Sequence, residues 1–124
     1  MNVLVLTALP HYAAIYPMKD NSQYMFTVFA GTSLSVLYHL NPDLLWIMLL
    51  DHLVAALWFC VDMVFSAGDA HVFGRVFFLN IFVFGAWIVL PTDMHSAWHI
   101  ISAIKCYCVA TLLRDIKPTP RTKT

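Results

Sequence analysis

Glutamate is absent from this 124-residue chain, and every acidic side chain is one of seven aspartates. Only 11% of the residues are charged and 60% are apolar, whereas water-soluble domains run nearer a quarter charged and half apolar. So little charge leaves too few polar groups to clothe a water-facing surface, and the formal net charge of zero offers no basic stripe to a nucleic acid. Cysteine is also scarce. Cys60, Cys106 and Cys108 are odd in number and lie in apolar segments, which argues against a disulfide framework. Cys106 and Cys108 stand two apart, so on a helix they point to different faces and make a poor metal pair. There are no internal repeats, and the polar tail "RDIKPTPRTKT" is the one segment of biased composition.

What the chain has in abundance is apolar sequence. A helix crossing a bilayer needs about 20 predominantly apolar residues, and five segments approach that length. They run over about 3–18, 24–40, 44–66, 72–90 and 95–113. The first is short and interrupted by Pro10 and His11; it lacks the basic n-region of a signal peptide, so it reads as a span, with a cleaved signal the less favoured alternative. The expected fold is an all-α, polytopic membrane bundle of about five transmembrane helices, forming one domain over 1–113. The basic tail, 114–124, then orients it. Arg114, Lys117, Arg121 and Lys123 flank the last span and place the C-terminus in the cytoplasm. Five spans put the N-terminus outside or in a lumen, at the plasma membrane or in the ER and Golgi. The loops "NPD" and "PTD", whose only charge is aspartate, then fall on the outer side, and Lys19, His71 and Arg75 on the inner side.

That topology gives the polar residues of the helices a depth. The second span ends outward in "SVLYH", with Ser35 one turn below His39. The third begins outside, placing Asp51 about two turns in. The fifth opens with "HSAWH", so His95 and His99 occupy its first turns. Residues four apart share a helix face, which aligns Ser35 with His39 and His95 with His99. Three imidazoles and a water are the ligand set of an open catalytic zinc site. Asp51 can hold or deprotonate that water, or can orient a histidine from behind, and Ser35 can donate to a developing oxyanion. His11, His52 and His71 read as interfacial polar residues. Lys105 and Asp62, both inside apolar spans, read as a mutual ion pair with snorkelling, with Lys105 as an anionic-headgroup ligand the alternative. Asn80 reads as an interhelical hydrogen-bonding residue and Arg75 as a snorkelling one. Trp46, Trp58, Trp87 and Trp98 read as anchors or packing, with Trp98 a possible wall of the metal site.

The ordered set Ser35-Val-Leu-Tyr-His39, Asp51 and His95-Ser-Ala-Trp-His99 resembles the CREST superfamily of membrane hydrolases and receptors. That superfamily includes the alkaline ceramidases and the progestin and adipoQ receptors. "HSAWHI" and "MFTVFAGTSLSVLYHL" are most similar to its post-GPI-attachment phospholipase and myomaker branch. The resemblance covers roughly residues 20–66 and 90–113. It implies zinc held by His39, His95 and His99, and hydrolysis of an ester or amide that frees an acyl chain from a membrane lipid, a GPI-type lipid or a ceramide. It equally admits a membrane-remodelling or fusion protein that keeps zinc for structure. A small transporter working through Asp62 and Lys105 is a further class. One departure is plain: those proteins have seven spans, and 124 residues cannot supply seven of about 20 residues each. A single helix near 72–90 stands where the family has three. Removing two preserves parity, so the histidine helix still starts from the face where the second span ends. A second copy or a partner subunit would complete the missing wall.

Overall fold

A computed structural model describes residues 2–116. Helix α1, Val3–Ala8, continues as a 3-10 helix over Leu9–Ile15; then follow α2, Ser22–Leu40, α3, Leu45–Ser66, α4, Ala70–Val89, and α5, His95–Arg114. The described residues contain no strand. Lys117, Arg121 and Lys123, on which the orientation of the chain depends, lie outside the described residues.

Local chemistry sets these limits. Asn2, Asn21 and Asp69 cap α1, α2 and α4 by accepting hydrogen bonds from backbone N–H groups two or three residues on. Pro10 has no N–H to continue the α ladder, and the first helix tightens to the 3-10 form just before it. Leu90 is extended, as suits a residue preceding proline, so α4 stops before Pro91. A single 3-10 turn, Thr92–Met94, then leads directly into α5.

Among the described residues, three helices are long and apolar enough to cross a membrane: Leu45–Ser66, Ala70–Val89 and the run Thr92–Arg114. The apolar segment Val3–Ile15 is shorter. At the rises of the two helix types it is about 23 Å long, against about 30 Å for a bilayer's hydrocarbon core. Helix α2, 19 residues long, mixes Ser, Thr, Gln and His with its apolar residues.

Neighbours in sequence pack as neighbours in space, α2 on α3, α3 on α4 and α4 on α5. The N-terminal segment closes the bundle by packing against both α2 and α5. It is pinned to α2 at two places: Asn2 Nδ2 donates to the carbonyl of His39 at 2.9 Å, and the Tyr12 and Ser33 hydroxyls meet at 2.8 Å. No Cα of α2 comes within 8 Å of one in α5. The space between those two backbones is left to the N-terminal segment and to side chains.

An unusual share of the buried side chains is polar. Thr32, His39, Asp62, Ser66, Asn80, His99 and Ser102 are buried, while Phe26, Phe29, Leu53, Phe78, Phe82, Ile88 and Val89 are exposed. Water would select the opposite arrangement. An apolar exterior, with polar and ionisable groups set inside an otherwise apolar core, is what a lipid solvent selects, consistent with an integral membrane protein.

Helix α3 presses closely on α2 at Gly31. A Cβ built there would stand 2.8 Å from Cε3 and 3.1 Å from Cζ3 of Trp58 on α3. Gly31→Ala must therefore displace the indole, which is itself buried. The expected cost is about 1–3 kcal/mol, typical of overpacking, measured as a lowered unfolding midpoint in detergent; Gly85→Ala, with nothing near its Cβ position, should leave that midpoint unchanged.

Candidate metal centre

The end of α2 and the start of α5 bring His39, His95 and His99 together. One ring nitrogen from each lies within 4.8 Å of the others. His39 and His99 are buried and His95 is half-buried. Ring centroids are 4.7 Å apart for His39–His99, 4.8 Å for His95–His99 and 5.4 Å for His39–His95. The group spans the gap that the two backbones leave, so an imidazole is about the right length for the position.

Neighbouring residues hold the rings. His95 stacks on Trp98 at 5.5 Å and 23°, and the Trp98 indole N–H donates to the Val83 carbonyl at 3.1 Å, which ties α5 to α4. Tyr38 packs against His39 at 4.8 Å. The bond from Asn2 fixes the last turn of α2.

The arrangement fits a metal ion. Nε2 of His39 and Nε2 of His99 face each other at 2.7 Å. Two such nitrogens repel unless one carries a proton or a cation lies between their lone pairs. Tetrahedral zinc with bonds of 2.0–2.1 Å would set its ligand nitrogens about 3.4 Å apart. Modest ring rotations reach that spacing from 2.7 Å on one side and 4.8 Å on the other. Nδ1 of His99 is buried without a hydrogen-bond partner. The His39, His95 and His99 cluster can therefore hold a metal ion.

Asp51 and Ser35 are half-buried in the adjoining parts of α3 and α2. By helical rise, Ser35 lies about 6 Å along α2 from His39, and Asp51 about 9 Å along α3 from its start. Neither belongs to the metal-capable group. Among the described residues two ion pairs form, Lys105–Asp62 and Arg114–Asp115, and Asp51 is in neither. His52 is exposed and turned back on its own helix, Nδ1 donating to the Met48 carbonyl at 2.7 Å.

His11 departs from its reading as an interfacial residue. It is buried, and its ring stands edge-on to His99 with centroids 5.9 Å apart and against Trp58 at 6.3 Å. The signal that could have found it is the one that singled out Lys105 and Asp62, an ionisable group inside an apolar segment.

Farther from the loops that precede α3 and α5 lies a second polar cluster. Asp62 of α3 has no exposed surface. It accepts from the Tyr24 hydroxyl at 2.9 Å and from Asn80 Nδ2 at 3.2 Å, and pairs with Lys105 Nζ at 3.5 Å. Lys105 also donates to Asn80 Oδ1 at 3.0 Å and lies over the Trp58 ring at 5.8 Å. Four helices meet in this network, and the Lys105 charge is met by partners inside the bundle.

Two open grooves mark the surface. The larger, about 560 Å³, runs between α4 and α5 past His71, Gly74, Arg75 and Leu112, away from the histidines. The smaller, about 240 Å³, is apolar and lies between the 3-10 segment and α5, lined by Pro10, Ala13, Ile100, Ala103 and Ile104 among others. It begins one residue beyond His99.

No protein-family model matches the chain, and no curated protein or solved structure does. Fold and site together define its class: an all-helical protein with membrane-compatible helices and a three-histidine cluster able to bind a metal.

Proposed function

We propose that the protein is a zinc-dependent membrane hydrolase that removes an acyl chain from a membrane lipid by cleaving an ester or an amide. The observation that carries this reading is the meeting of His39, His95 and His99, three imidazole nitrogen donors brought together in a bundle whose exterior is apolar. Three imidazoles suit zinc better than magnesium or calcium, which prefer oxygen. When bound, zinc supplies a Lewis acid that polarises a carbonyl and lets water ionise near neutral pH. Asp51 orients the attacking water and takes its proton, and Ser35 donates to the oxygen that gains charge. The apolar groove beside Ile100, Ala103 and Ile104 receives the acyl chain. A GPI-type lipid or a ceramide is the substrate class that the CREST resemblance implies.

In this reading α2 and the N-terminal segment also lie within the membrane, making about five membrane-embedded helices. The histidines then face the outside or a lumen and the C-terminus the cytoplasm, at the plasma membrane or in the ER and Golgi. A second copy or a partner subunit covers the side where related bundles have two more helices.

One observation favours a second reading, a non-enzymatic membrane-remodelling or fusion protein of the myomaker type with structural zinc. Asp51 stands outside the metal-capable group, so the metal could be held without serving a reaction. Elemental mass spectrometry of detergent-purified protein tests the shared premise. About one zinc per chain is expected in the wild type, and none in His95→Ala/His99→Ala. A folded wild type without zinc would sink both readings. Zinc without turnover of any ester or ceramide lipid would favour the second.

A further inference from the structure

We infer that His11 is a positioning residue for the metal centre, accepting the Nδ1–H of His99 and thereby holding Nε2 of His99 toward the metal. The inference rests on the metal reading above and extends it to a residue that the sequence motif does not include.

Consider first what His99 needs. Its Nε2 faces His39 within the three-histidine group. A neutral imidazole that offers Nε2 as a ligand carries its proton on Nδ1. Metal-bound histidines almost always donate that second N–H to an acceptor, which fixes both ring orientation and tautomer. Yet Nδ1 of His99 is buried and has no partner, an arrangement that costs free energy unless an acceptor is close at hand.

His11 supplies the acceptor. Its own Nδ1 lies 2.8 Å from the Ala8 carbonyl oxygen. A carbonyl only accepts, so the His11 proton is on Nδ1 and its Nε2 bears a lone pair. The two rings are perpendicular, at 89°, with centroids 5.9 Å apart. Nitrogens aligned between those centroids would be roughly 3.6 Å apart, a small ring rotation from a hydrogen bond. The 3-10 helix makes this possible, because it turns His11 inward between α2 and α5 while Pro10 and Ala13 line the surface groove. The N-terminal segment thus does more than close the bundle. It carries the group that orients a ligand.

The test uses the full chain in detergent. Zinc affinity is measured by competition with a chelator for wild type, His11→Phe and His11→Gln. Phenylalanine keeps a planar ring without an acceptor, and glutamine restores an acceptor oxygen. His11→Phe should bind zinc about 10–100-fold more weakly, and His11→Gln should recover most of that loss. A merely structural His11 would give no such rescue. Nitrogen-15 spectra of zinc-loaded wild type, read without any variant, should show His99 protonated at Nδ1 and that proton protected from exchange. Equal zinc affinity in wild type and His11→Phe, or a freely exchanging His99 proton, would overturn the assignment while leaving the metal reading intact. Absence of zinc from the wild type would overturn both.

Discussion

Asp62→Ala is expected to destabilise the bundle by about 3–5 kcal/mol, the range for breaking a buried ion pair by removing one partner. The carboxylate accepts from Tyr24 and Asn80 and neutralises Lys105. Alanine would leave the Tyr24 hydroxyl without its acceptor and an ammonium group deep in the bundle with no opposite charge, held by Asn80 Oδ1 and the face of Trp58. Desolvating an unpaired charge is the dominant cost, larger than the lost hydrogen bonds. Two further variants separate the terms. Asp62→Asn keeps an acceptor for Tyr24 but not the charge, and should fall between wild type and alanine. Asp62→Ala/Lys105→Met removes both charges at nearly constant volume and should recover more than half of the loss. Denaturation midpoints in mixed micelles, followed by tryptophan fluorescence, give the comparison. Equal stability of Asp62→Ala and the double variant would mean that Lys105 reaches water once unpaired, so that the pair holds no charge in the bundle. The same variants also test the transporter class. If Asp62 and Lys105 are structural, a well-folded double variant should keep whatever activity the wild type has.

Asp51→Ala should lower lipid hydrolysis by about 10²–10⁴-fold, the contribution of a positioned general base, and leave zinc content at the wild-type level. Ser35→Ala should lower it by about 10²–10³-fold, as expected on removing one oxyanion donor. Both residues are half-buried and outside the metal-capable group, so neither substitution removes a ligand. The readout is fatty acid released from ester and ceramide lipids in mixed micelles, normalised to bound zinc. If both variants match the wild type in a cell-based remodelling or fusion assay, and no variant hydrolyses lipid, the non-enzymatic reading gains. Loss of zinc in Asp51→Ala would instead make Asp51 a partner of the ligands, orienting a histidine from behind as the sequence also allows.

Composition and spacing alone determined that the chain is helical and suited to lipid. A charged fraction of 11% beside an apolar fraction of 60% favours lipid as the solvent for long apolar helices. Spacing also picked the metal-capable histidines. His95 and His99 stand four apart on one face, and His39 ends a helix that runs to the same level as the start of α5. Helical periodicity and the reversal of direction at each loop are local properties, so sequence can report them. The fate of His11 is not local. It depends on Pro10 diverting the first helix to the 3-10 form, and on that short segment, rather than direct helix packing, filling the space between α2 and α5. Neither periodicity nor hydropathy registers a ring turned inward beside His99. The same holds for the Asp62 network, in which Tyr24, Asn80 and Lys105 come from three other helices. Opposite charges in apolar helices need partners, which sequence can say; which uncharged neighbours complete the shell depends on how four helices rotate about their axes, and only packing decides that.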